Sequence, residues 1–187
     1  MKISTKIALL FAAIWFGGKM LFFNFQLFQE PETYPYQVFW NILCLLLTMA
    51  IGSYLEIRKQ DRSQSTALSD IKTIMSGGLI YTILVATLLL TYYSKIDPDF
   101  NKHQIEVSKV QIKKMLDTPK GLKDTRSSRP EFASMTKEEI YEKLIQNPQS
   151  MFHPRSVFVI SLLGMLMLSV LNSIVLTAVY RRLIFRT

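Results

Sequence analysis

Four long apolar runs, separated by charged segments, constrain this chain more than any other feature. They are Ile7 to Phe28, about Tyr36 to Ile57, about Ile74 to Tyr93, and Val157 to Tyr180. A water-soluble core interleaves apolar and polar residues at helical or strand period, and these runs do not. Each is near the roughly 20 residues that carry a helix across the hydrocarbon of a bilayer, and none contains a proline. Lipid offers backbone amides no hydrogen-bond partner, so a crossing segment is a helix or belongs to a closed barrel. Barrel strands are about half as long and alternate in polarity. The expected fold is therefore all-α and integral to the membrane: four transmembrane helices, with a mostly helical extramembrane insertion between the third and fourth. A single membrane domain over 1–187 is expected, the insertion covering about 94–156.

The first run starts after Lys2 and Lys6, as a signal peptide would. The stretch "FGGKMLFFNFQLF" then puts aromatic bulk where cleavage needs small residues, so an uncleaved anchor is expected. The single cysteine, Cys44, lies inside the second run and has no partner for an intramolecular disulfide. Basic residues in short links set orientation. Lys2 and Lys6, then Arg58, Lys59, Arg62 and Lys72, then Arg181, Arg182 and Arg186 fall on one side of a chain with four crossings. The link between the first two runs holds only Glu30 and Glu32. Both termini are thus expected in the cytoplasm and 94–156 outside it. Topology absorbs much of the net charge of +8. No basic stripe interleaved with stacking aromatics points to nucleic acid, so the expected partner is membrane lipid.

The stretch "TYYSKIDPDF", Thr91 to Phe100, is where solvent preference reverses. Tyr92 and Tyr93 suit the membrane interface, with an apolar ring and a wet hydroxyl. "SKI" reads as a break. Asp97 then reads as an N-cap and Pro98 as the first residue of a new helix. In that helix Ile105, Ile112, Met115 and Leu116 form one stripe and Lys102, Glu106, Lys109 and Lys113 the other. It is expected to stop near Asp117. "KGLKDTRSSRPEF" reads as a loop. Thr136 and Glu139 form a capping box for a short helix that Asn147-Pro148 is expected to end.

Four crossings of this kind, with the third closing in Tyr92, Tyr93, Ile96, Asp97, Pro98 and Phe100 before a polar insertion, resemble the membrane proteins grouped as domain of unknown function 4199. The resemblance covers nearly the whole chain and implies a protein of the inner membrane of a Gram-negative bacterium of the Bacteroidota, with a periplasmic insertion. It carries over no catalytic residue. It also suggests a partner in envelope glycan machinery, such as a polyprenyl-linked glycosyltransferase.

Chemistry-bearing residues inside the runs are few. Lys19 lies nine positions before Phe28, roughly 13 Å at helical rise. An intramembrane ammonium is costly and marks a functional candidate by default, while snorkelling or pairing with Asn41, at a similar depth, is the structural alternative. Asn172 is the other intramembrane polar residue of interest. Ser169, Ser173 and Thr177 share its helix at four-residue spacing, Gly78, Thr82 and Ala86 do the same in the third run, and Ala13 and Gly17 in the first. Such small faces suit packing within the bundle or against a partner subunit. Asp99, His103 and Glu106 share a helix face but lack a fourth ligand, so no metal is expected. Nucleophile, Gly-rich phosphate and HExxH patterns are absent from the sequence, and neither enzyme activity nor a cofactor is expected. A small non-catalytic subunit or scaffold, self-associating or bound to other membrane subunits, is the leading expectation. A transporter or channel component using Lys19 is the alternative.

Overall fold

The computed structural model describes residues 1–27, 34–59 and 66–184. Glu30, Glu32, Arg62 and Arg186, used above to orient the chain, lie outside these residues. The chain runs α1 (Ile3–Asn24), α2 (Tyr34–Ile57), α3 (Ala67–Thr91), a π-helical turn (Tyr92–Ile96), α4 (Pro98–Asp117), α5 (Pro119–Ser128), a 3-10 turn (Pro130–Phe132), α6 (Lys137–Met151), α7 (Pro154–Val179) and a second π-helical turn (Tyr180–Ile184). It divides into two compact units, Met1–Leu89 with Phe158–Thr187, and Leu90–Val157.

The first unit is a bundle. Lys19 meets Gln37 near one end of α1, and Ser4 meets Glu56 near the other, so α1 and α2 are antiparallel. Tyr81 reaches Asn41 while Gly78 lies against Met49, which makes α3 antiparallel to α2. The pairs Asn41–Met165, Met49–Asn172 and Ser53–Tyr180 advance together, so α7 runs parallel to α2. The inside holds Ala8, Ala12, Trp15, Cys44, Leu45, Met49, Ile74, Tyr81, Val85 and Ala86, all buried. The outside is just as apolar: Leu9, Ile14, Leu21, Phe39, Ile83, Leu163, Leu171 and Val175 are exposed. A soluble bundle does not present so continuous an apolar sheath to water, whereas lipid requires one. The four helices of this bundle are long and apolar enough to cross a membrane.

The first span ends earlier than its apolar run. Gln26 takes a positive φ of 52°, and the Leu27 and Gln26 amides donate back to the Phe22 and Phe23 carbonyls at 2.8 and 3.1 Å. This pair of hydrogen bonds around a left-handed residue closes a helix C-terminus, so α1 stops at Asn24 rather than Phe28.

The second unit has its own small core, where Leu116, Phe132 and Ile140 are buried among Ile112, Leu122, Met135, Tyr141 and Leu144. The capping box is present: Glu139 N–H donates to Thr136 Oγ1, and Thr136 N–H to the Glu139 carboxylate. Two elements of the insertion differ from the sequence expectation. The stretch read as a loop, "KGLKDTRSSRPEF", is mostly α5 and a 3-10 turn. Thr118-Pro119 repeats the device of Asp97-Pro98: Gly121 N–H donates to Thr118 Oγ1 at 3.1 Å, and proline takes the first helical position. Burial of Phe132, with the Arg129 guanidinium 5.4 Å from its ring centroid, holds the 3-10 turn. Pro148 does not end α6, which continues to Met151. The proline loses the bond its own nitrogen would donate and crowds the carbonyl one turn back, but its own carbonyl still accepts from Phe152 N–H at 2.9 Å, so the last turn forms.

Candidate functional site

The motif between the third span and the insertion forms one joint, contained in the second unit. The helix does not break at "SKI"; it widens into a π-turn in which Asp97 N–H donates to the Tyr92 carbonyl at 2.9 Å. Asp97 then faces two ways. Its Oδ1 accepts from Phe100 N–H at 3.1 Å, capping α4, and its Oδ2 accepts from the Tyr92 hydroxyl at 3.3 Å. Pro98 occupies the first helical position. Tyr93 stacks on Phe100 with centroids 5.4 Å apart and packs edge-on to Tyr92 at 5.2 Å. Ile96 closes the π-turn. Every other motif residue thus serves the same task, which is to end one helix and aim the next.

The interior of the first unit gathers the intramembrane polar residues. Lys19 is 5% exposed, and its ammonium donates to Gln37 Oε1 at 2.8 Å. That acceptor lies one turn before Asn41 on α2. Because α1 ends at Asn24, Lys19 is five positions, or about 7.5 Å, from its helix end. Asn41 is occupied elsewhere: its Oδ1 accepts from the Tyr81 hydroxyl at 2.9 Å and its Nδ2 donates to Met165 Sδ at 3.5 Å. Asn172, half-buried, donates to Met49 Sδ at 3.5 Å. Of the small residues, Gly78, Thr82, Ala86, Ser169, Ser173 and Thr177 face inward. Ala13 and Gly17 face outward, and a Cβ on Gly17 would meet nothing within 4 Å. The inward face of α1 is instead Ser4, Ala8, Ala12, Trp15 and Lys19.

The first unit buries a second charge, outside the apolar runs. Asp70, fully buried at the start of α3, accepts from Arg181 Nε at 2.7 Å. In the sequence Asp70 falls in the charged link before the third apolar run, which begins only at Ile74. An acid one turn before one apolar run and an arginine directly after another were the available signal. Next to it, the Tyr180 hydroxyl donates to the Ala50 carbonyl at 2.7 Å and lies 3.1 Å from Ser53 Oγ. Glu56 accepts from the Ser4 amide at 3.2 Å, placing a carboxylate at the N-terminus of α1 where the helix dipole favours it.

In the insertion, α4 and α6 border an open groove of about 300 Å³, floored by Leu116 and Tyr141 and walled by Lys113, Asp117, Lys137, Glu138 and Glu142. The hydrogen bond from Lys137 holds the Asp117 carboxyl below the usual carboxylate range, and that from the Thr136 amide does the same for Glu139. On α4, Asp99 pairs with Lys102 at 2.8 Å and Glu106 with Lys109 at 2.6 Å, leaving His103 between two ion pairs. No group of three metal-ligating residues occurs among the described residues.

The family described as "Protein of unknown function (DUF4199)" matches residues 6–182. The chain belongs to this family. The match to DUF4199 runs from the first turn of α1 to Arg182, so it takes in the joint, the insertion and both members of the Asp70–Arg181 pair. No curated protein and no solved structure matches the chain.

Proposed function

We propose that this DUF4199 chain is a non-catalytic subunit or scaffold of an envelope assembly in the inner membrane of a Gram-negative bacterium, with both termini cytoplasmic and the insertion periplasmic. The observation that carries the reading is the insertion. It is a compact helical unit with its own core, capped at the start of α4, α5 and α6, and set off by a built joint. A chain needing only a link between two spans does not require such a unit, whereas one that presents a surface to a partner does. An envelope glycosyltransferase is the partner class suggested by the family resemblance. Mild detergent extraction of the full chain, followed by identification of what remains bound, tests this. A stoichiometric membrane partner, lost when the exposed α4–α6 face is altered by Lys113→Glu, is the expected result. A chain that purifies alone at native expression contradicts it.

A second reading, part of a solute or ion pathway, is favoured by one observation: Lys19 faces the bundle interior rather than lipid. Charged residues inside membranes commonly mark such paths. In reconstituted vesicles this reading predicts a flux that disappears in Lys19→Ala. No flux in the native chain ends it.

A further inference from the structure

The first unit carries its charge at one end. Ser4 of α1 meets Glu56 of α2 and lies beside Ser76 of α3, and Asp70 of α3 meets Arg181 after α7, so these contacts gather one end of all four spans. Each span brings exposed cations there: Lys2 and Lys6 at the start of α1, Arg58 and Lys59 just after α2, Lys72 on α3 and Arg182 in the π-turn after α7. At the opposite end the only charged side chain among the described residues of this unit is Lys19, which is buried and bonded to Gln37.

The protein leaves this charge largely uncompensated. Asp70 is taken by Arg181 and Glu56 by the Ser4 amide, and no other acid stands at this end among the described residues. None of the six exposed cations makes an ion pair with a described residue. The apolar sheath sets their depth. Exposed Leu10 lies one turn beyond Lys6, and exposed Leu55 three residues before Arg58. Exposed Leu79 and Val175 each lie seven residues, about two turns, from Lys72 and Arg182. The cations thus stand just past the hydrocarbon, level with the headgroups, where lysine and arginine attract anionic lipid.

We propose that these six cations form a collar that binds the phosphate headgroups of anionic phospholipid and holds a shell of that lipid around this end of the bundle. Lipid suits the collar better than soluble phosphate, because the cations are spread over four spans at the edge of the sheath and do not converge in one pocket. It suits it better than an acidic protein, which would need the cations on one face. The inference holds under either the subunit or the transport reading.

Native mass spectrometry of the full chain tests it. The chain is reconstituted in nanodiscs of phosphatidylglycerol and phosphatidylcholine in equal parts, with matched acyl chains, and released into mild detergent. The expected result is phosphatidylglycerol retained about fivefold over phosphatidylcholine, the effect of roughly one such cation. The ratio is expected to fall toward equality in Lys6→Gln/Arg58→Gln/Lys59→Gln/Lys72→Gln. It is expected to persist in Lys114→Gln/Lys120→Gln/Lys123→Gln/Lys143→Gln, which removes the same charge from exposed positions of the insertion. Equal retention of the two lipids by the native chain overturns the proposal, as does a ratio that falls no further in the first variant than in the second. So does inorganic phosphate that abolishes the preference where chloride at the same ionic strength does not, since the cations then serve the free ion. Should the first variant fail to fold, salt on the native chain decides. A preference that fades as salt rises from about 0.1 to 1 M, where screening shortens from about 10 to 3 Å, supports the collar, and an unchanged preference overturns it.

Discussion

Asp97 shows how much one side chain does in this molecule. One carboxylate oxygen caps α4 and the other takes the Tyr92 hydroxyl, so the same residue finishes the third span and starts the insertion. Asp97→Ala removes both bonds. Loss of an N-cap costs about 1 kcal/mol, or roughly fivefold in a local opening equilibrium. Hydrogen exchange at the Phe100 amide is expected to speed up by about that factor. Asp97→Asn keeps a good cap and is expected to stay close to the native rate. Asp70 is the second residue of this weight. Breaking a buried ion pair by removing one partner costs about 3–5 kcal/mol, reduced here because the Arg181 side chain is 30% exposed. Asp70→Ala is therefore expected to lower the thermal midpoint in detergent sharply. Replacing both residues, as Asp70→Leu with Arg181→Leu, is expected to recover part of the loss.

At the scale of elements, helix ends carry the design. The C-terminus of α1 turns on Gln26 in a left-handed conformation, which glycine adopts without penalty. Gln26→Gly is expected to stabilise the bundle by up to about 1 kcal/mol, read as a higher midpoint of thermal unfolding. In the insertion, two hydrogen-bonded carboxylates give a pH dependence of known sign. Glu139 and Asp117 are held below their ordinary values by Thr136 and Lys137. Their contributions are complete above the unfolded-state values, about 4.3 for Glu and 3.9 for Asp, and fade as pH falls through the lower folded-state values. Hydrogen-exchange protection of α6 is thus expected to be constant from pH 7 to 5, after correction for the intrinsic rate, and to fall in acid. Glu139→Gln is expected to flatten that loss.

These elements also show which features could be read beforehand. Length and apolar continuity marked the spans, and S/T-x-x-E and Asp-Pro spacings marked two helix starts, because each signal is local. The insertion's α5 was hidden because Thr118-Pro119 is the same start device followed by a polar, glycine-containing stretch. Its stability comes from Leu122 and Phe132 packing on α4 and α6, contacts that no short window contains. Lys19 stood out as a charge within an apolar run, but its partner Gln37 depended on where α1 and α2 align. Asp70 carries no such mark: it falls in a charged link, and only the fold brings Arg181 beside it.

The whole molecule is a four-span bundle with polar interior side chains, an apolar sheath and a separately built insertion. Close approach along the α2–α3–α7 seam depends on Gly78, where an added Cβ would crowd Met49 and Ser169. Gly78→Val is expected to cost about 1–3 kcal/mol as overpacking, lowering bundle stability while leaving exchange protection of α6 intact, since that core lies in the other unit.

Four crossings put a segment between the third and the fourth on the face of the membrane opposite to both ends of the chain. Single cysteines at Lys2 and Lys123, each in a Cys44→Ser background, tested with a membrane-impermeant maleimide on intact spheroplasts and again after lysis, measure this directly. Labelling is expected at position 123 before lysis and at position 2 only after it. Labelling of both positions in intact spheroplasts, or of neither, would contradict the four-crossing arrangement.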